Sequence, residues 1–108
     1  MIIEQISIGA SRGKRQEMGR ALASLMGPIQ VQRGCLSCRL LRMWPNAGEL
    51  RVEAHWANQN DLIRHLRSET YKDLLLLMEL GKTPPVVAFY SVLEVQGLNL
   101  VKTARARF

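Results

Sequence analysis

Residues 34–78 read GCLSCRLLRMWPNAGELRVEAHWANQNDLIRHLRSETYKDLLLLM, and this stretch decides the fold. Apolar and polar side chains alternate in residues 36–43 and again in residues 50–56, which predicts two β-strands. The Pro, Asn and Gly of residues 45–48 are turn formers. The two strands are therefore predicted to form a hairpin.

The sequence after the hairpin predicts two consecutive helical pieces. Asn58 followed by Asp61 is a capping pattern, which starts a short helix that carries His65. Ser68 is a second N-cap residue type, and an apolar stripe that includes Tyr71 follows it. The spacing of apolar residues thus changes directly after the hairpin, from every second residue, as in a strand, to every third or fourth residue, as in a helix.

The segment before the hairpin contributes a strand and a helix. Residues 2–8 alternate between apolar and polar types, which predicts a strand with one buried face. Residues 14–27 predict an amphipathic helix that Ser11 caps and Pro28 ends. The apolar stripe of this helix consists of Met18, Leu22, Leu25, Met26 and Ile29.

The C-terminal part predicts a further strand. Residues 86–95 are the most β-prone run in the chain, and residues 98–101 are expected to add a short extra strand. Residues 105–108 are expected to fray, because chain ends with few apolar residues are poorly tied down.

The predicted element order is strand, helix, strand, strand, helix, strand. This is the βαββαβ pattern of a ferredoxin-like α+β fold, with both helices on one face of an antiparallel sheet. An uncovered face with apolar side chains favours a second copy, since burial of each such side chain stabilises by ~1.5–3 kcal/mol. We therefore expect a homodimeric α+β barrel built from residues 1–96. Residues 97–108 form a C-terminal extension that is available for pairing with the partner subunit.

Charge and hydropathy exclude several classes of protein. The formal net charge is +6, but the basic residues are spread along the chain and no nucleic-acid recognition motif accompanies them. Such a surface can still attract anionic small molecules to a pocket. No apolar run is long enough to span a bilayer, and the start of the chain lacks the basic region of a signal peptide. We therefore expect a cytoplasmic protein that binds neither nucleic acid nor membranes.

Two cysteines, Cys35 and Cys38, form a C-x-x-C at the start of a predicted strand. Residues three apart on a strand are expected to point to opposite faces, which disfavours a disulfide and shared metal ligation. A tetrahedral zinc site would need two more ligands, and the chain offers only His55 and His65. The pair is therefore interpreted as structural thiols, and we expect no metal and no cofactor.

The sequence resembles the antibiotic biosynthesis monooxygenase domain over about residues 1–95. The resemblance rests on the Gly-Cys-Leu-Ser of residues 34–37, on Trp56 at the hairpin end, and on His65, Ser68 and Tyr71 at their spacing. It implies a dimeric α+β barrel with a ferredoxin-like protomer. The family includes cofactor-independent monooxygenases of aromatic polyketides or quinols, haem-degrading enzymes, small-molecule signal processors and members without known activity.

The chain departs from the family pattern at three places. Ala54 stands where many members have an acidic residue, and Cys38 stands where many have an aromatic residue. The haem-degrading branch has a His after an aromatic-Lys-acid triplet, whereas the triplet that begins at Tyr71 is followed by leucines. The first departure weakens the case for catalysis, and the last disfavours haem degradation.

His65 is the candidate catalytic residue. It can act as a general acid or base, or orient a substrate hydroxyl, or it can be a half-buried His that is bonded to a backbone carbonyl. Trp56 and Tyr71 are candidate substrate-binding residues, and both also fit a role in core packing.

Three further candidates for substrate binding are Tyr90, Ser7 and Arg39. The Tyr90 phenol can position a substrate oxygen, but it too lies in an apolar pattern. Arg39 can bind an anionic substrate or form a cross-strand ion pair with Glu53. No nucleophilic triad and no phosphate loop is present in the sequence.

These residues support three hypotheses about function. The first is a cofactor-independent monooxygenase that oxidises a quinol or phenolic polyketide in a pocket between helices and sheet. The second is a dimeric domain that binds a small molecule without turnover, which the Ala54 departure favours. The third is an isomerase or lyase that acts on a small carbonyl metabolite with His65 as its base.

Overall fold

The computed structural model describes residues 1–107 and shows one four-stranded antiparallel sheet covered by helices on one face. The strands are β1 (Ile2–Gly9), β2 (Cys35–Arg42), β3 (Glu49–Trp56) and β4 (Val86–Ser91). The helices are α1 (Arg15–Gln30), α2 (Gln59–Leu66), α3 (Glu69–Glu79) and α4 (Leu98–Arg107), and a short 3-10 turn, Arg12–Lys14, precedes α1. The sheet order is β2-β3-β1-β4, which is the predicted ferredoxin-like topology.

The hairpin and the two helix starts are confirmed. Strands β2 and β3 pair antiparallel, and the Asn46 side chain accepts from the backbone N–H of Gly48 in the turn between them. The Asn58 side chain accepts from the backbone N–H of Asp61 at 2.9 Å, and Ser68 caps α3 in the same way. Each cap satisfies a backbone donor that the helix start leaves unpaired.

The core lies between the helices and the sheet. Even-numbered residues of β1 and β3 face the helices, and α1 and α3 contribute the opposite wall. The fully buried aliphatic side chains of this layer include Ile6, Ile8, Leu22, Ile29, Val52 and Leu74. The predicted stripe of α1 therefore packs on the sheet as expected.

The predicted bounds of α1 are wrong at both ends. The helix continues through Pro28 to Gln30, because only one backbone hydrogen bond is lost so near the end and Ile29 becomes buried beyond it. Ser11 makes no side-chain cap, since the 3-10 turn separates it from α1.

The C-terminal prediction is wrong in detail. Strand β4 ends at Ser91 instead of residue 95, and residues 98–101 belong to α4 instead of a strand. Leu, Lys, Ala and Arg are good helix formers, which explains a helix here. Residues 105–107 are helical as well, and the fraying expected at Phe108 lies outside the described residues. Among residues 1–107, no helix is long and apolar enough to cross a membrane.

The expected separation of the two cysteines is also wrong. A β-bulge lies between Cys35 and Ser37, so that Cys35 pairs with Trp56 and Cys38 pairs with Ala54. Both partners are even-numbered residues of β3 that face the helices. The extra residue of the bulge shifts the alternation, and both cysteines therefore lie on the helix-facing side. Both thiols are free.

The face of the sheet away from the helices is more polar than expected. In its centre lie Gln5, Arg51, Glu53 and His55, which are half-buried among one another. Val87 and Phe89 of β4 are instead in register with Ile6 and Glu4 and face the helix side.

Candidate active site

Four side chains form a buried cluster at one end of the core. Glu4 lies on β1, Trp56 ends β3, His65 lies on α2 and Tyr71 lies on α3. The alternation of β1 and β3 turns Glu4 and Trp56 toward the helices, and the two capped helices bring His65 and Tyr71 above them. We call these four residues the His65 cluster.

Glu4 is the buried acid of the His65 cluster, with 1% of its surface exposed. Its Oε1 accepts a hydrogen bond from the indole Nε1–H of Trp56 at 3.1 Å and lies 3.1 Å from Nε2 of His65. Its Oε2 is buried and has no hydrogen-bond partner among the described residues. A buried carboxylate oxygen without a hydrogen-bond partner lowers the stability of the fold. Glu4 therefore lies where a charged side chain is unfavourable for folding.

His65 is 2% exposed, and its two ring nitrogens have different partners. Nδ1 lies 2.7 Å from Oε1 of Gln32, which can only accept, so Nδ1 carries a proton. Nε2 lies 3.1 Å from Oε1 of Glu4, but the angle between the two groups is not that of a hydrogen bond. The Gln32 amide therefore sets the tautomer of the imidazole in the structure.

Aromatic rings enclose the imidazole of His65. The Trp56 ring stacks on it with a centroid distance of 4.3 Å and an interplanar angle of 25°. The Tyr71 ring meets it edge-on at 5.1 Å and 78°. Burial raises the pKa of the Tyr71 phenol, and the nearby Glu4 carboxylate raises it further. The phenol is therefore a neutral hydrogen-bonding group near pH 7.

Glu4 and His65 are best described as one acid–base pair, because Oε1 of Glu4 lies 3.1 Å from Nε2 of His65. A lone buried carboxylate or imidazolium is unfavourable, and each member of a close pair of opposite type reduces that cost for the other. Such a pair can take or release a proton while its surroundings stay dry, as acid–base catalysis requires.

A cavity of about 190 Å³ adjoins the outer edge of the imidazole. It is lined by Gln32, Arg33, Asp61, Arg64, His65 and Ser68. The Nε2 amide nitrogen of Gln32 is 3.4 Å from the Ser68 hydroxyl and its Oε1 is 2.7 Å from Nδ1 of His65, so Gln32 connects two of the lining residues. A ligand in this cavity would approach His65 from the Nδ1 side.

The structure brings together three of the six predicted site residues, His65, Trp56 and Tyr71. The other three, Ser7, Arg39 and Tyr90, lie on the opposite face of the sheet, where Tyr90 is 51% exposed. They cannot contact a ligand that lies beside His65 within one protomer.

Arg39 and Ser7 have local partners on this opposite face. The Arg51 side chain donates to the Ser7 hydroxyl at 3.3 Å, and Arg39 donates to Glu53 at 3.2 Å. A hydrogen bond from His55 and the neighbouring Arg39 hold the pKa of Glu53 below its usual value. The cross-strand ion pair between Arg39 and Glu53 is thus present.

Sequence reasoning missed Glu4 and Gln32. The signal for Glu4 was available, because it shares the alternation of Ile2, Ile6 and Ile8 and therefore faces the core. No comparable signal exists for Gln32, which lies in the irregular link between α1 and β2. Among the described residues, no group of three or more His, Cys, Asp or Glu side chains could hold a metal ion.

Comparison with known proteins identifies a matching family. Residues 1–75 match the model of the family described as antibiotic biosynthesis monooxygenase, and this range includes the whole His65 cluster. No curated protein matches the chain in sequence.

Solved structures share the fold. A Deinococcus radiodurans protein, provisionally assigned as an antibiotic biosynthesis monooxygenase, has a TM-score of 0.81 at 19% identity over 90% of this chain and 97% of its own. A Mycobacterium tuberculosis protein has a TM-score of 0.79 at 20% identity, over 89% and 98% of the two chains. A Nitrosomonas europaea protein with the same provisional assignment has a TM-score of 0.78 at 12% identity, over 87% and 100%.

Proposed function

Because the chain belongs to the antibiotic biosynthesis monooxygenase family, we propose that it is a monooxygenase that oxidises a small phenol or quinol without a cofactor. The observation that supports this most is the pairing of Glu4 with His65, enclosed by Trp56 and Tyr71 and reached from a cavity. The substrate supplies the electrons, and the protein supplies a proton acceptor in a dry, aromatic environment.

The size of the cavity favours a single ring. Pockets for drug-sized ligands usually enclose ~300–1,000 Å³, whereas the cavity beside His65 encloses about 190 Å³. A quinol or simple phenol fits such a space better than a polyketide with several fused rings.

In the proposed reaction, the substrate hydroxyl replaces the Gln32 amide at Nδ1 of His65. Once the Gln32 amide is displaced, the imidazole changes to the tautomer with its proton on Nε2, and a small rotation of the ring directs that proton at the Glu4 carboxylate, so that Nδ1 can accept the phenolic proton. The phenolate transfers one electron to dioxygen, the two radicals combine through a C–O bond, and the O–O bond breaks with release of water.

Hydroquinone shows that this reaction balances. One molecule of hydroquinone and one of dioxygen give one molecule of hydroxy-para-benzoquinone and one of water. One oxygen atom enters the ring, and the other leaves as water with two hydrogen atoms from the substrate. The ring loses the four electrons that dioxygen gains, so no further reductant is needed.

Oxygen uptake with a panel of phenols and quinols tests this proposal. If His65 is the proton acceptor, His65→Gln should lower the rate by roughly 10²- to 10⁴-fold. His55→Gln is the matched control, because His55 lies on the opposite face of the sheet. A His65→Gln variant that folds and keeps the wild-type rate would remove His65 from this role.

Ligand binding without turnover is a second candidate. The burial of His65, with Nδ1 already bonded to Gln32, favours this alternative, because a substrate hydroxyl would have to displace that hydrogen bond to reach the imidazole. Ligands that raise the melting temperature but are not consumed would support it. Product formation without oxygen uptake would instead support an isomerase or lyase that acts on a carbonyl compound.

We also propose a homodimer and a cytoplasmic location. Nine of the fifteen exposed large hydrophobic side chains in the described part of the chain lie between Val86 and Val101. Concentration in one segment is typical of a surface that a partner covers.

A further inference from the structure

Three arginines surround the outer side of the His65 cluster. Arg33, in the link between α1 and β2, and Arg64, on α2, both line the 190 Å³ cavity. Arg67 joins Arg64 in lining an adjoining depression of about 520 Å³. Because the two spaces share Arg64 and Ser68, we call them together the cationic cleft.

The cationic cleft carries more positive than negative charge. Its lining contains one carboxylate, Asp61, which is 10% exposed and whose Oδ1 accepts from Nη1 of Arg64 at 2.8 Å. Within residues 1–107, Arg33 and Arg67 have no carboxylate oxygen within 4.0 Å. Two guanidinium groups thus remain available for a ligand anion, while the third is held in place by Asp61.

The inner and outer walls of the cleft suit an aromatic ligand with two polar ends. The inner wall contains the edge of the His65 ring and the Gln32 amide, and the outer depression has Ile63 as an apolar wall. Guanidinium groups bind carboxylates through paired hydrogen bonds. The single negative charge of a carboxylate also suits a cleft that contains Asp61 better than a dianionic phosphate.

Resting on the proposed function, we propose that the substrate is a small hydroxylated aromatic acid. Its carboxylate is held by Arg33, Arg64 and Arg67, and its hydroxyl is directed at His65. The positive charge of the whole chain, +6, then helps to draw the acid to the cleft.

Binding measured by calorimetry without oxygen tests this proposal separately from turnover. The probes are 2,5-dihydroxybenzoate and hydroquinone, which differ only in the carboxylate. We expect roughly tenfold to hundredfold tighter binding of the acid, as hydrogen bonds to charged groups contribute. This preference should fall as NaCl rises, because salt screens exposed charges.

The variants are chosen so that folding is preserved. Arg33→Gln with Arg67→Gln removes two exposed guanidinium groups that have no carboxylate partner among residues 1–107. The affinity for 2,5-dihydroxybenzoate should then fall to about that for hydroquinone. Arg12→Gln with Arg20→Gln lowers the net charge by the same amount at a distance from the cleft and should leave the preference intact. Arg64→Gln is a third variant, whose melting temperature reports the loss of the Asp61 pair.

Three results would overturn the proposal. The first is equal or undetectable binding of the two aromatic probes. The second is an equal loss of affinity for 2,5-dihydroxybenzoate in the Arg33/Arg67 variant and in the Arg12/Arg20 control. The third is binding of inorganic phosphate as tight as that of 2,5-dihydroxybenzoate. The two proposals fail in different ways. Arginine-dependent binding of the acid without oxygen uptake would leave this proposal standing and contradict the monooxygenase, whereas oxygen uptake with no preference for the acid would do the reverse.

Discussion

Glu4 shows how one residue can change the interpretation of a site. Its carboxylate connects the Trp56 indole to the His65 imidazole, so that two of the predicted residues depend on one that was not predicted. The alternation of β1 places Glu4 in the core, but only the structure shows that a His faces it from another element. The alternation of a strand predicts on which face of the sheet a side chain lies. It cannot predict which side chains of the helices lie opposite.

The Glu4–His65 pair predicts that charge, and not only packing, matters at position 4. In Glu4→Gln the amide oxygen can still accept from Trp56, so we expect the melting temperature to change little. Oxygen uptake should fall by roughly 10²-fold or more, because a neutral amide stabilises a proton on Nε2 of His65 less than a carboxylate does. Glu4→Ala should in contrast destabilise the fold by ~1–3 kcal/mol, since it leaves the indole N–H unsatisfied.

Thermal unfolding and oxygen uptake of the two variants provide the measurements. A purely structural Glu4 would be indicated if the Gln variant kept the oxygen-uptake rate of the wild type.

Cys38 provides a second prediction about a single residue. Burial raises the pKa of its thiol to about 12, with smaller contributions from Cys35 and Glu4. At pH 8 almost all of the thiol is protonated, and the thiolate is the reactive form. We therefore expect iodoacetamide to modify Cys38 far more slowly in the folded protein than in urea, as peptide mapping can measure. Reaction at the rate of a free cysteine would contradict both its burial and its raised pKa.

Local sequence signals predict the elements well where they involve neighbours in the chain. The hairpin turn and the caps at Asn58 and Ser68 depend on residues within four positions, and all are confirmed. The continuation of α1 through Pro28 and the bulge after Cys35 depend on packing against other elements. Sequence alone cannot compare the hydrogen bond lost at Pro28 with the burial of Ile29, and it cannot show where β2 pairs irregularly with β3. These two predictions failed for that reason.

Gly34 is the position where the link before β2 requires glycine. Its φ is +81°, and a Cβ built on it would overlap with the carboxylate of Asp61. Gly34→Ala should therefore lower the free energy of unfolding by at least ~1–3 kcal/mol, which is the cost of a strained backbone alone. Gly19→Ala in α1 is the control, because no described atom beyond its chain neighbours and the backbone of its own helix lies within 4 Å of its built Cβ. Since Ala is the better helix former, that variant should be stabilised by ~0.5–1 kcal/mol.

Urea denaturation of the two glycine variants gives both values under the same conditions. Equal stability of Gly34→Ala and the wild type would show that the link can rearrange away from Asp61.

The exposed apolar surface of the whole molecule does not lie where the sequence predicts it. An uncovered apolar sheet face is predicted, but the centre of that face is polar. The exposed apolar side chains instead lie in β4, in the segment after it and in α4, including Leu93, Leu98 and Val101. The radius of gyration is 16.1 Å, compared with about 13 Å for a compact chain of this length. The C-terminal segment therefore extends from the body and exposes apolar surface.

This distribution predicts that α4 contributes to the contact between subunits. Leu98 and Val101 are three residues apart and share one side of the helix, where both are exposed. Leu98→Ser with Val101→Ser should shift the dimer toward monomer in sedimentation at micromolar concentration, because each apolar side chain contributes ~1.5–3 kcal/mol on burial. The circular dichroism of the sheet should stay unchanged, since these residues lie outside the core.

Thr103→Ser, on the opposite side of α4, should have no effect on the mass measured by sedimentation. A wild-type chain that is monomeric under these conditions would contradict the dimer, and a dimer unaffected by the double substitution would place the contact elsewhere on the surface.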